Sequence, residues 1–412
     1  ILTVKLQKEV EKVNSICVTS EIGPLKKVLV HRPGAELENL MPEYLERLLF
    51  DDIPYLKIAQ EEHDAFCDIM RKRGVEVVYL TDILTDNEVK NEFLREFLNE
   101  AGIKEAKRLD AVMDYFNQMS TKNMVEKLIA GLRKSELRGS YRKSLGDYLE
   151  SDYPFLIDPI PNLYFSRDAF AAIGCGVTIN KMATITRNRE TLFAKYIFGH
   201  NPLYKDVPIF YDRKEQAMIE GGDILILNEK TVAIGISQRT TPQAIEILSR
   251  KLLSEENSFE KILAIDIPKL RSFMHLDTVF TMVDRNKFTV HNNISHALRV
   301  FVITKGGTDG VQIMEEQDSL ENILMEHLHL DKVELIKCGG GSVIDAAREQ
   351  WNDGSNTLAV APGVVVVYGR NHVTNEILRE SGIETLVIPS SELSRGRGGP
   401  RCMSMPLVRD DP

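Results

Sequence analysis

Among five cysteines, one stands where a nucleophile could work. Cys402 lies in Ser394-Arg-Gly-Arg-Gly-Gly-Pro-Arg-Cys-Met-Ser-Met-Pro406. Gly396, Gly398, Gly399 and Pro400 make the backbone ahead of it a loop rather than the interior of a strand. Arg395, Arg397 and Arg401 are its charged neighbours, and cations favour a thiolate over a thiol. The same run also reads as a solvated Gly/Arg segment, or as a nucleic-acid contact. The formal charge of −10 and the lack of interleaved aromatics weigh against nucleic acid.

A nucleophilic thiol needs a partner base. His275 sits in Phe273-Met-His-Leu-Asp-Thr-Val-Phe280, whose apolar pattern predicts a strand with His275 and Asp277 on one face. A hydrogen-bonded core histidine is the alternative. Glu220-Gly-Gly-Asp223 puts two acids and two glycines before an apolar run. That is either a strand-opening turn or a place where backbone passes close to a ligand. Asp168 ends Asn162-Leu-Tyr-Phe-Ser-Arg-Asp168, ahead of another strand pattern. Carboxylates around a thiol raise its pKa, which suits a protease poorly. They suit a cationic substrate. A guanidinium is planar and always charged, and its N–H forks match carboxylates. Two acids can hold it while a thiolate attacks its carbon.

Two textures of sequence must position these residues. Between Asp82 and Ser151, apolar residues recur at helical spacing: Phe93, Leu94, Phe97 and Leu98, then Val112, Met113 and Phe116, then Met124, Leu128 and Leu132. This predicts a bundle of three or four helices at 82–151, set into a body made of 1–81 and 152–412. The body reads as a repeat of hairpin, helix and strand. Turns are expected at Gly174–Gly176, Asn228–Lys230 and Asn352–Asn356, a fourth hairpin at 275–290, and a degenerate first unit from Lys26 to Gly74. Thr241 and Pro242 fit the N-cap and first position of a helix. Asp168 precedes Arg187, and Glu220 precedes Arg239, by the same 19 residues. A hairpin brings both ends of such a segment to one rim, so the units could form a propeller-like ring with helices outside. An ordinary α/β sheet in which the spacing is coincidence remains open.

A length of 412 residues allows about two to four domains. Hydrophobic and charged fractions of 43% and 27% fit a folded chain. No apolar run approaches the roughly 20 residues of a membrane helix, and no signal peptide is evident near Ile1–Val18. A cytoplasmic protein without membrane contact is expected. There is no CxxC pair, so neither zinc nor a redox dithiol is indicated. Cys17, Cys67, Cys175 and Cys338 read as buried free thiols.

The chain resembles the bacterial arginine deiminases of the guanidino-group-modifying superfamily. The matching segments run from Ser20-Glu-Ile-Gly-Pro-Leu-Lys-Lys-Val-Leu-Val-His-Arg-Pro-Gly34 through Pro161–Asp168, Arg187-Asn-Arg-Glu-Thr-Leu192, Ile219–Asp223 and Met274–Thr278 to Arg395–Pro406. The resemblance implies a five-bladed α/β propeller of pentein type carrying an inserted helical domain. It implies hydrolysis of L-arginine to L-citrulline and ammonia without metal or organic cofactor. Cys402 is then the nucleophile, His275 the general acid/base and Glu220 its orienting partner. Asp168 and Asp277 are the guanidinium clamps. Asn162, Arg187, Arg239 and Arg397 hold the amino-acid end, and Phe165 and Gly396 line the pocket. The partner is free L-arginine, with a homo-oligomer left open. The alternatives are another guanidino-modifying enzyme (an amidinotransferase, or an agmatine or dimethylarginine hydrolase) and a non-catalytic RNA-binding protein.

Overall fold

The strongest local pattern in the chain, an apolar hairpin followed by an amphipathic helix and a third strand, sets the architecture. A computed structural model describes residues 15–84, 89–137, 145–149, 152–255, 257–270, 272–291 and 298–412. The anticipated boundary at Ser151 and the segment 1–14 lie outside these residues. In chain order, β1 (Leu25–Val30) runs parallel to β2 (Glu76–Tyr79), with the helix Leu56–Lys72 between them. Short strands β3 (Leu132–Arg133) and β4 (Phe155–Ile157) pair at the base of the helical block. Then β5 (Phe170–Ile173) and β6 (Gly176–Ile179) form a hairpin, with β7 (Ile209–Tyr211) parallel to β6. The pattern repeats in β8 (Ile224–Asn228), β9 (Thr231–Ile236) and β10 (Lys261–Asp266).

It repeats again in β11 (Phe280–Asp284) and β12 (Lys287–Val290). Here a further hairpin, β13 (Arg299–Lys305) and β14 (Val311–Glu316), extends the β8–β10 sheet, and the third strand is β15 (Glu334–Lys337). The fifth unit in chain order is β16 (Leu358–Ala361), β17 (Val364–Tyr368) and β18 (Glu384–Ile388). Last, β19 (Met405–Arg409) pairs antiparallel with β1. The chain's final strand thus completes its first unit, and five units share one hairpin-plus-parallel-strand topology. The architecture is mixed α/β. The sheets are separate and open, and no closed sheet occurs among the described residues.

The hairpin strands are buried on both faces, as in β8, where Ile224 to Leu227 are all inaccessible. That is why they read as continuous apolar runs rather than alternating ones. Thr241 caps the helix Pro242–Leu252 through Ala244 N–H, as anticipated. Two expectations need correction. The hairpin after Gly341 turns at Pro362–Gly363, not at Asn352–Asn356. Residues Val343–Trp351 are a helix, capped by the Ser342 hydroxyl on Asp345 N–H. His275 and Asp277 are not on a strand: His275 is extended, but Leu276–Thr278 form one turn of 3-10 helix ahead of β11.

The helical block contributes Lys90–Glu100, Ala106–Asn117 and Thr121–Ala130. Its core is continuous with the body. Phe93 and Phe97 pack on Phe193, with ring centroids 5.6 and 6.0 Å apart. Arg213 Nη2 meets Glu100 Oε1 at 2.7 Å across the same junction. Among the described residues no helix is long and apolar enough to cross a membrane.

Candidate active site

The first strand of each antiparallel pair in the five units is entered by a loop, and these loops carry the candidate residues. Asp168 precedes β5, Glu220 precedes β8, His275 and Asp277 precede β11, Asn356 precedes β16, and Cys402 precedes β19. They converge on one cavity of about 700 Å³. Asn162, Phe165, Asp168, Arg187, Arg239, His275, Gly396, Arg397 and Cys402 all line it. Glu220 and Asp277 stand directly behind that lining, both fully buried.

Cys402 is 4% exposed. Its N–H donates to Asn356 Oδ1 at 3.0 Å, and its carbonyl accepts from Arg167 N–H at 3.1 Å. The thiol sulfur is 3.8 Å from Asp277 Oδ2. Asp277 is fixed by Arg401, whose Nη1 donates to the same Oδ2 at 2.7 Å, while Glu21 takes the rest of that guanidinium at 3.1 Å. On the opposite wall Arg187 Nη1 donates to Asp168 Oδ2 at 2.7 Å. Asp168 and Asp277 therefore share an arrangement. One oxygen of each is tied to an arginine, and Oδ1 of each is buried with no hydrogen-bond partner. A buried carboxylate oxygen left in this way is costly unless a donor meets it.

His275 lies between acids. Its Nε2–H donates to Glu220 Oε2 at 2.8 Å, and its Nδ1 is 3.9 Å from Asp168 Oδ1. The approach is close because Gly222 has no side chain: a Cβ there would lie 2.7 Å from the imidazole. Asp223 fastens the turn beneath, accepting from Leu276 N–H at 2.8 Å and from the Ser237 and Thr240 hydroxyls at 2.7 and 2.6 Å. Asp168, Glu220 and His275 present donor atoms within 4.8 Å of one another, so this wall is built to receive a positive group.

Burial disfavours a charged imidazole, but Asp168, the Glu220 hydrogen bond and Asp223 outweigh it and raise His275 to about 9. Burial likewise opposes the Glu220 carboxylate, yet the His275 hydrogen bond and Arg239 hold it at about 2. The pair is an imidazolium carboxylate near neutral pH. Burial pushes the Cys402 thiol well above its ordinary value, and Asp277, Asp168 and Asp353 push it further, against Arg401. Of the opposed influences on the thiol, the acids and burial outweigh the flanking arginines. Arg401 is occupied by Asp277 and Glu21, and Arg395 reaches out to Asp52 and Glu392. The Arg397 guanidinium lies 3.6 Å over the Trp351 ring.

The arginines differ in what they have left to give. Arg187 donates twice to Glu190, at 2.9 and 2.8 Å, once to Asp168 and once to Asn162 O at 3.5 Å. Of five guanidinium N–H groups, that leaves one. Arg239 Nη1 has no hydrogen-bond partner and sits 3.8 Å from Glu220 Oε1. Arg397 Nε is also without a partner.

Several residues at the site carry no signal in a pass for lone motifs. Glu190 was visible as the last residue of Arg187-Asn-Arg-Glu190, three positions from the arginine it binds. Glu21 was visible inside Ser20–Gly34. Asp353 and Asn356 lie in the segment read as a turn, and Trp351 just ahead of it. Asp353 is 3% exposed, with one oxygen lacking a partner, and burial lifts it to about 7.

The arginine deiminase family model matches residues 46–409. An arginine deiminase of Clostridium perfringens is 59% identical over 96% of this chain and 98% of its own length. One from Borrelia duttonii is 51% identical and one from Streptococcus agalactiae 53% identical, with the same coverage. Among solved structures, an amidinotransferase of Microseira wollei aligns with a TM-score of 0.57 at 14% identity, covering 97% of this chain and 98% of its own. An inosamine-phosphate amidinotransferase of Streptomyces griseus aligns with a TM-score of 0.52 at 14% identity, covering 96% and 97%. These distant likenesses speak to the fold alone, a mixed α/β fold like that of the two amidinotransferases.

Proposed function

The chain belongs to the arginine deiminase family, and we propose how its own side chains carry the hydrolysis of free L-arginine to L-citrulline and ammonia. The observation that supports the reading best is the pair of aspartates, each with one oxygen tied to an arginine and the other unpartnered, set beside a buried thiol. A guanidinium placed between Asp168 Oδ1 and Asp277 Oδ1 satisfies both orphaned acceptors. It also cancels the negative field that keeps Cys402 protonated, so the thiol gives up its proton to solvent as the substrate cation binds, and the thiolate forms.

The thiolate attacks the guanidinium carbon, and a tetrahedral adduct forms. His275, already protonated, gives its proton to the departing ammonia. An S-alkylthiouronium remains on Cys402. The now neutral imidazole takes a proton from water, which attacks the same carbon and expels the sulfur as citrulline forms. Glu220 holds the imidazole in place and keeps its charged form favoured. At the far end Arg239 and Arg397 meet the α-carboxylate, with the one N–H that Arg187 retains. Asn162, Phe165 and Gly396 shape that end of the cavity.

We extend the proposal to the architecture. The five units circle this cavity as the blades of an α/β propeller, each presenting its incoming loop to the centre. The helical block 82–151 is an insertion between the first and second of them, outside the chemistry.

The test is product identity. Purified protein given L-arginine and no acceptor amine should release citrulline and ammonia in equal amounts. An amidino product that appears only with an added amine would show a transferase instead.

A further inference from the structure

The described N-terminal residues act as a strap between two parts of the active-site scaffold. Cys17 N–H donates to Leu407 O at 2.8 Å and Arg409 N–H donates to Cys17 O at 2.7 Å, so the strap lies along β19, the strand that follows Cys402. On its other side Val18 and Gly174 exchange both backbone hydrogen bonds, each at 2.8 Å. Gly174 and Cys175 are the two-residue tip of the β5–β6 hairpin, which the Asp168 loop enters.

Cys17 and Cys175 are the residues next to this bridge, Cys17 on the strap and Cys175 at the hairpin tip, where Gly174 turns the chain at φ 55°. A disulfide between them needs Cα atoms about 4.4–6.8 Å apart. Cys175 is exposed and Cys17 half-buried, so neither is the inert interior thiol that sequence spacing suggests. Burial, then the neighbouring Cys175 thiol, lift Cys17 above the ordinary thiol value.

We propose that Cys17 and Cys175 are a reversible dithiol, oxidised by low-molecular-weight disulfides to a clasp that fastens the strap to the β5–β6 hairpin. The exposed Cys175 thiolate attacks one sulfur of the external disulfide, forming a mixed disulfide and releasing one thiolate. Cys17, as thiolate, then attacks the Cys175 sulfur and expels the second. Two protein thiols are oxidised, one external disulfide is reduced to two thiols, and two protons pass to the leaving thiolates. The second step quickens as pH rises, because Cys17 must lose a proton that its setting retains. The clasp closes a long loop of chain and so restricts the unfolded state.

The experiment treats the reduced full chain with oxidised glutathione, then counts thiols after denaturation and maps linked peptides by mass spectrometry. Free thiols should fall from the five of the sequence to three, with one cross-linked peptide joining Cys17 and Cys175. Cys17→Ser should stop at a glutathione adduct on Cys175. The oxidised parent should melt at a higher temperature than the reduced parent, dithiothreitol should reverse the rise, and Cys17→Ser should show none. Glutathione that stays on Cys175 of the parent without a cross-link overturns the proposal. So does a link to Cys67, Cys338 or Cys402, or a cross-linked form that melts no higher.

Discussion

Asp168 and Asp277 each spend one oxygen on an arginine and leave the other without a partner. The proposed mechanism gives both free oxygens to the substrate's guanidinium. An amide at either position has a single acceptor, and its NH₂ opposes the guanidinium donors. Asp168→Asn and Asp277→Asn should each lower kcat/KM by about a thousandfold, the scale at which a preorganised electrostatic contact is lost. Asp110→Asn, on the exposed helical surface, should leave it unchanged. Circular dichroism must show each variant folded, since Arg187 and Arg401 lose an ion partner. A near-parent rate in folded Asp168→Asn contradicts the clamp. Arg239 has a whole Nη1 without a hydrogen-bond partner, against the single N–H left on Arg187. Arg239→Ala should cost arginine roughly a hundredfold, within the range for truncating one partner of a buried charge pair. It should cost agmatine, which has no carboxylate, far less. An unchanged ratio of the two specificity constants would place carboxylate recognition elsewhere. At this scale the sequence was informative because the chemistry demanded few residue types. What stayed hidden were the partners that hold them, such as Glu190, Asp223 and Asn356, whose roles depend on contacts made in space.

The hairpins were legible because two strands and their turn are local. Asn228–Lys230 and Gly174–Gly176 mark turns in the sequence, and β8–β9 and β5–β6 follow. The pairing of β1 with β19 was not legible, since no local pattern links strands at opposite ends of the chain. The turn at Asn352–Asn356 was misplaced for a different reason. Its polar residues are buried and used: Asn356 holds Cys402 N–H, and Asp353 lies in the left-handed region at φ 57°. Polar residues serving a site imitate a surface turn. The helical block was read from its period of apolar residues, but its shared core with Phe193 and Tyr196 was not. No described residue of the block lines the cavity. Lys107→Ala should therefore leave kcat and KM for arginine within about threefold of the parent, as surface changes away from special features usually do. A larger loss from several such changes would put the block in the reaction or in a required interface.

Across the whole molecule, five units deliver five incoming loops around one cavity, and in the proposed mechanism the charges there keep Cys402 protonated until a cation arrives. His275 is held charged by its acids, which in that mechanism readies it to protonate the leaving ammonia. All of this serves one claim, that the guanidinium carbon becomes covalently attached to Cys402. The direct measurement is acid quench during turnover of the parent enzyme with arginine labelled at the guanidinium carbon and in the side chain, followed by peptide mapping. The account predicts label on the peptide that carries Cys402, and none in Cys402→Ala. Label on another residue, or repeated quenches in steady turnover that trap none, would contradict it.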